Sequence, residues 1–503
     1  MADVRIKVNP KNPSKGAHKF DQGSVLSVLL KTALPIVILM LFNSTYAFVD
    51  SLMSATYVQY GCLSDGTVLN GGTIVGLLLP LMGVLIAFEV MIAVGCGLAY
   101  TQSMAQEDYE EANKRHNESM SAIIYMGLIV ILVIAIIGIP YTLTVSGNWQ
   151  GKAWEGYTRQ MVMDGYLYII ILGFSFIPMQ IQQSYIRVLR AEGVGDVAAI
   201  IPILTFPINI FFDWLFMNVL QTGVYGAGIA TLIASMSGSI IMAIYIHRQE
   251  LSDKLVINLN LPKMIVHREV IMVVLAFAMG SLLRRLCDSG TVVIVALYIG
   301  NADVSSMTGS LSNIANWTGG WTVMTRSINM AIMLSLGVAQ TVSMLVSYYA
   351  NSNQMNKVGD TIKYGFISMI ICSLFASLLL FGLQGILFVT YDATNSYGWE
   401  WWNPMSIAFI LALIYSIPLS LQPMPVMFYA GMKQPKLTLI HSVTYNIIVL
   451  GFATFGLVFN LQTGNPLYLY WSLLVGSVIG LFVILLRFNS RYKELNLNKV
   501  NNV

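Results

Sequence analysis

Residues 34–51 read LPIVILMLFNSTYAFVDS. With the residues just ahead of it, the run is apolar and long enough to cross a bilayer as a helix. Pro35 lies near its start and one carboxylate, Asp50, near its far end. An acid on a membrane span costs about 2.5–3.5 kcal/mol on insertion scales, so it normally persists by pairing with or binding something. Runs of the same kind recur along the chain. Of 503 residues, 56% are hydrophobic and 10% charged, and the mean hydropathy is +0.69. A soluble domain would carry about 25% charged residues. The pattern predicts an all-α polytopic membrane protein with about 12 transmembrane helices, at roughly 24–57, 70–100, 119–145, 163–188, 196–220, 224–247, 268–299, 318–349, 361–391, 403–430, 437–460 and 466–488.

An even number of spans places both ends on one side. Lys7, Lys11, Lys114, Arg115, Arg248, Lys254, Lys263 and Arg487 all fall in one alternating set of connecting segments, whereas the opposite set holds only Lys152 and Arg159. The positive-inside rule therefore predicts cytoplasmic termini in a multi-pass protein of the cell membrane. The charged segment around 248–267 divides the spans six and six. The expected organisation is an N-terminal tail (1–23), an N-lobe with spans 1–6 (24–247), an interlobe linker (248–267), a C-lobe with spans 7–12 (268–488) and a C-terminal tail (489–503). No small-residue cleavage site follows the first span, which reads as a retained helix. Cys62, Cys96, Cys287 and Cys372 show no metal or redox spacing.

The halves resemble each other. Asp50-Ser51 aligns with Asp288-Ser289 at an offset of 238 residues. Gly97-Leu-Ala-Tyr-Thr-Gln-Ser-Met104 aligns with Gly337-Val-Ala-Gln-Thr-Val-Ser-Met344 at 240, and Ile177-Pro178 with Gln182 aligns with Ile417-Pro418 and Gln422, also at 240. Six spans per copy means that the copies point the same way, related by a pseudo-two-fold along the membrane normal. Transporters so built bind substrate between the halves and rock to alternate access.

Two groups of residues carry chemistry. In the first, Asn209 and Asp213 lie four apart on one face of the fifth span, and Asp50 is their candidate companion, with Thr231 on the next span. No basic residue lies in the membrane portion of the first six spans. Two close carboxylates in low dielectric cannot both stay charged and unpaired, so one protonates or a cation sits between them. Two carboxylates, an amide and a hydroxyl form an oxygen shell that suits Na⁺ at Asp50, Asn209 and Asp213, and equally a shared proton. Pro35 either permits the first span to bend or is tolerated in its first turns. In the second half Asn446 matches Asn209, but the position matching Asp213 is Leu450. The second group is Arg284, Arg285 and Asp288, with Arg326 on a later span. It reads as a structural ion pair between Arg284 and Asp288, or as a polar patch facing substrate. Glu89 is a further acid at membrane depth, either lining the cavity or neutral and hydrogen-bonded.

These residues resemble the multidrug and toxic-compound extrusion (MATE) family of the MOP superfamily. The resemblance rests on LPIVILMLFNSTYAFVDS, GLAYTQSMAQEDYEEANKRHN, LRAEGVGDVAAIIPILTFPINIFFDWLF and GVYGAGIATLIAS, and covers nearly the whole chain. It implies two six-helix lobes in a V and efflux driven by a Na⁺ or H⁺ gradient. On the matching positions it implies a cation site at Asp50, Asn209, Asp213 and Thr231 and a bending proline at Pro35. Asp288 matches the seventh-helix acid of a subgroup whose tenth-helix partner acid is absent from IPLSLQPMPV here.

The expectation is a secondary active antiporter that exports small organic compounds in exchange for H⁺ or Na⁺. The alternative is a MOP-superfamily flippase or exporter of lipid-linked or anionic substrates, which the membrane arginines favour. The expected partners are a small-molecule substrate, the coupling ion and the bilayer, with a monomeric chain, no nucleic acid and no cofactor. An enzyme would be marked by a His, Cys or acid cluster at the membrane surface, and a channel by polar residues along a continuous helix face. The sequence carries neither mark.

Overall fold

In a bilayer a chain must satisfy its backbone hydrogen bonds internally, so apolar runs of this length fold as helices. The computed structural model describes residues 20, 23–62, 68–148, 156–251, 255–259, 264–272, 274–275, 311–352, 354–390, 404–432, 434–463 and 467–500. The N-half comprises α1 (Val25–Tyr57), α2 (Gly71–Ala105), α3 (Tyr109–Asn148), α4 (Gly156–Ala191), α5 (Gly195–Asp213) and α6 (Tyr225–Glu250). The described part of the C-half comprises α7 (Leu311–Asn351), α8 (Met355–Thr390), α9 (Pro404–Leu421), α10 (Pro423–Gly431), α11 (Pro435–Thr463) and α12 (Leu467–Val500). Among the described residues, 10 stretches are long and apolar enough to span a membrane. The seventh predicted span, 268–299, lies mostly outside the described residues.

The helix surface agrees with a lipid environment. On α3, Leu128, Leu132 and Ile136 lie four apart on one face and are 53%, 61% and 65% exposed. A stripe of that apolarity would be an aggregation patch in water, and in a bilayer it is the lipid face.

Four details depart from the sequence reading. A two-stranded antiparallel hairpin, β1 (Gln59–Cys62) and β2 (Val68–Asn70), joins α1 to α2 in a chain expected to be all-helical. Its register shifts at Gly61, whose φ of +113° a side chain would resist. The segment 106–117, which falls in the connection between the second and third predicted spans, largely forms the first turns of α3. Asp108 caps that helix by accepting from the Glu111 amide at 3.1 Å, and Glu111 pairs with Arg115 one turn on at 2.9 Å. The predicted span 403–430 is two helices broken at Gln422, because Pro423 and Pro425 cannot donate the backbone bonds that would continue α9. Finally, α12 runs on as helix to Val500, through most of the predicted C-terminal tail.

The repeat is visible in local bonding. Thr101 donates to the Gly97 carbonyl at 2.8 Å, and its counterpart Thr341 donates to the Gly337 carbonyl at 3.0 Å. The first helix belongs to both halves. Val28 and Leu29 on α1 pack in one cluster with Leu336, Ala339 and Val342 of α7, and Val37 approaches Gly337 closely. Pro35 lies within this C-half-facing portion, and α1 continues through it as helix. The far part of α1 carries Asp50 into the N-half.

The linker is strapped to the N-half. Glu192 accepts from Tyr100 Oη at 2.7 Å and from the amides of Val256 at 2.8 Å and Ile257 at 2.9 Å. Burial raises the Glu192 carboxyl above its ordinary range, and these three donors oppose that rise. Asn113 accepts from the Asn258 amide at 2.8 Å, and Glu118 accepts from the His267 amide at 2.8 Å. This linker end of the bundle carries the basic segments, and the β1–β2 hairpin joins two helices at the other.

Candidate functional site

Asp50 lies near the end of α1, Asn209 and Asp213 lie one turn apart on α5, and Thr231 lies on α6. All are buried, with exposures of 8%, 1%, 0% and 6%. The spacing on α5 fixes Asn209 and Asp213 to one face. Directly after Asp213 the backbone widens into a π-helical turn, Trp214–Val219, marked by a Leu220 amide bond to the Leu215 carbonyl at 2.9 Å. Such turns interrupt regular helices frequently at functional sites. Here the turn begins at the residue after the acid.

Tyr46 joins the three helices. It lies one turn before Asp50 on α1, and its hydroxyl meets Thr231 Oγ1 at 2.6 Å. The Asn209 amide nitrogen donates to the same hydroxyl at 3.4 Å. With Asn209 as donor, the tyrosine proton is free to point at Thr231. Edge-on contact with Phe206, at 6.3 Å between ring centroids, positions the Tyr46 ring from the α5 side. Ser54, one turn beyond Asp50, reaches Met217 of the π turn at 3.6 Å.

The amide nitrogen of Asn209 is engaged, which turns its oxygen the other way. That oxygen, Asp50 Oδ1 and both carboxylate oxygens of Asp213 are buried with no hydrogen-bond partner among the described residues. Orphaned acceptors of this kind each cost about 1–3 kcal/mol, more for charged groups. Asp50 and Asp213 are within electrostatic reach of each other, and Tyr168 on α4 is within reach of both. Four unpaired acceptor oxygens from two acids and an amide suit a hard cation such as Na⁺, or a proton shared between the acids. Thr231 is joined to the group through its hydrogen bond with Tyr46.

Arg326 brings a charge from the other half. It lies on α7, within electrostatic reach of Asp50 and Tyr168, and its Nε is buried without a hydrogen-bond partner among the described residues. Sequence reasoning grouped it with Arg284, Arg285 and Asp288, and those three lie outside the described residues. Glu89 falls on α2, but its side chain is also outside them. Sequence reasoning missed Tyr46 and Tyr168 as members of the site. For Tyr46 the signal was available, because it lies four residues before Asp50 and so on the same helix face. For Tyr168 and the Arg326–Asp50 relation no sequence spacing points to the contact.

The chain is thus a multi-pass membrane protein with the fold of the MATE transporters of the MOP superfamily. It superposes on a MOP superfamily transporter from Pyrococcus furiosus, described as having a binding pocket of reverse polarity, with a TM-score of 0.75 at 17% identity over 97% of this chain and 100% of that one. A multidrug resistance MATE family transporter in an outward-facing conformation gives 0.74 at 18% identity, over 97% and 100%. In sequence, the chain is 23% identical to the multidrug export protein MepA of Staphylococcus haemolyticus over 354 residues, 70% of each. It is 22% identical over 249 residues to the uncharacterised protein MG447 of Mycoplasma genitalium, a match covering 42% of this chain and 45% of that protein. No family model matches the chain.

Proposed function

We propose that the chain is a MATE-family secondary antiporter, exporting small organic compounds in exchange for H⁺ or Na⁺ that loads at Asp50 and Asp213. The observation that carries this reading is the cluster of buried, unpartnered acceptor oxygens on Asp50, Asn209 and Asp213 inside a MATE-type fold. Loading a cation neutralises the pair. The far part of α1 then draws toward α5 and α6 through Tyr46, while its near part stays packed on α7. Pro35 lies within the part of α1 that packs on α7, ahead of Tyr46, and its missing backbone bond lets the helix bend there. The bend couples ion loading to the packing of the two halves, and the halves alternate the access of substrate held between them. The linker end faces the cytoplasm on the positive-inside rule.

Arg326 and its neighbours suggested an anionic or lipid-linked substrate. Arg326 is instead within electrostatic reach of Asp50, which supports a place for it near the ion site. Transport in vesicles with separately imposed Na⁺ and pH gradients identifies the coupling ion. Asp50→Asn should abolish gradient-driven export while leaving a folded, monodisperse protein, and full export by that variant would sink the reading.

A further inference from the structure

At the linker end the halves face each other across a cleft lined by Gly97 and Thr101 of α2, Arg187 and Arg190 of α4, and Gln340 and Ser343 of α7. It is partly open to solvent, with a cavity volume of about 40 Å³, space for a few water-sized groups, the scale of a small ion. The two arginines are one turn apart and share a single acceptor. Their Nη1 atoms reach Gln340 Oε1 at 3.4 Å and 3.3 Å. Arg190 is 4% exposed, and the Nε of each arginine is buried with no hydrogen-bond partner among the described residues. The Ser343 hydroxyl, on the opposite wall, is equally unpartnered.

Among the described residues neither arginine has an ion pair. The nearest acid in sequence, Glu192, spends its carboxylate on Tyr100 and the linker amides. Two like charges are thus within interaction range of each other, in a buried place, with one neutral carbonyl between them. Buried charges persist when a counter-charge or ligand satisfies them. The backbone is shaped for the arrangement, because a Cβ at Gly97 would lie 2.6 Å from the Arg187 Cβ. Only glycine lets α2 and α4 approach with Arg187 directed into the cleft. Guanidinium forks match the oxygens of phosphate in two-pronged fashion, and a serine hydroxyl adds a third donor.

We propose that this cleft binds a phosphate-type oxyanion between Arg187, Arg190 and Ser343, and that the anion fastens the two halves together at the linker end. The site needs both halves, since the arginines come from α4 and the serine from α7. Separation of the halves there dismantles it, so the anion favours the arrangement in which they touch. The binding itself does not depend on the ion site. The phosphate belongs either to a free solute or to an anionic lipid headgroup, and both present the same oxygens.

The purified full-length chain in detergent is titrated with inorganic phosphate at constant ionic strength, with chloride as the control, and its melting temperature is followed. A parallel series uses nanodiscs of phosphatidylcholine with and without phosphatidic acid, free of inorganic phosphate. A saturable upward shift with either probe, lost in the Arg187→Gln/Arg190→Gln protein and weakened several-fold by Ser343→Ala, supports the site. The probe that produces the shift identifies the source. Arg187→Lys, which keeps the charge but loses the fork, should weaken binding and covers the case in which the double variant does not fold. Asp50→Asn should keep the full response even where export is lost, which separates this site from the antiport reading. No shift with either probe, or an equal shift in all the arginine and serine variants, overturns the proposal.

Discussion

Asn209 and Asn446 hold matching positions in the two halves, and their amides do different things. Asn209 reaches across to Tyr46 on α1, whereas Asn446 folds back onto the Ser442 carbonyl of its own helix at 2.8 Å. One turn on, the first half has Asp213, fully buried with both oxygens unpartnered among the described residues, and the second has Leu450. A duplicated helix therefore keeps its polar position in both copies. It becomes a candidate ion site only where a neighbouring helix supplies a second acid and a tyrosine to hold the amide. Without them the asparagine satisfies itself locally, as a helical asparagine readily does.

The largest expected effect comes from exchanging the two positions. Leu450→Asp places an acid where no site receives it and should destabilise the protein by about 2.5–3.5 kcal/mol, read as a drop in melting temperature and yield. Asp213→Leu should do the reverse, raising the melting temperature while ending ion-driven export, the usual opposition of stability and function at a site. A fall in melting temperature for Asp213→Leu would mean that the carboxylate has a structural partner and would break the comparison.

Next in size is the charge that the second half lends to the first. Arg326→Gln removes a cation from the vicinity of Asp50 and should strengthen binding of the coupling ion on the order of tenfold, about 1.4 kcal/mol. Titration calorimetry with Na⁺, or proton uptake measured against pH, reads this directly. Unchanged affinity would separate Arg326 from the ion site.

Tyr46→Phe removes the bridge between α1, α5 and α6 while leaving its ring in place. A typical hydrogen bond contributes about 1 kcal/mol, so a modest loss of stability accompanies weaker ion binding. Thr231→Ala should weaken ion binding in parallel if the threonine acts through the tyrosine. The smallest effect belongs to Asn446→Ala, roughly 0.5–1.5 kcal/mol of stability with export rates unaltered. Asn209→Ala should instead impair export, and equal export by the two alanine variants would erase the distinction between the halves.

Much of the site could be read from the chain. Asp50 stood out because an acid is costly on an apolar span, and Asn209 and Asp213 were tied together by helical spacing. The two-fold pattern followed from repeated motifs at nearly one offset. The break at Gln422 was also present in the sequence, in Pro423 and Pro425, yet hydropathy averages over a kink. The same averaging hid the start of α3, where charged residues read as a connector although Asp108 and Glu111 form an ordinary helix start. The π turn after Asp213 has no marker in residue type.

Relations within a helix were fixed by the sequence, because 3.6 residues per turn dictates which side chains share a face. Relations between helices were decided by the tertiary structure. Tyr46 meets Thr231 across 185 residues, and Arg190 meets Gln340 across 150. Hydropathy assigns each of these helices to the membrane but leaves open its rotation and its neighbours. Those depend on close packing, such as Gly97 against Arg187 and Gly337 against Val37, where a missing side chain sets how near two helices come. Asp50 was a costly acid in the sequence. The packing of α1 against both halves brought it within electrostatic reach of Asp213 and of Arg326.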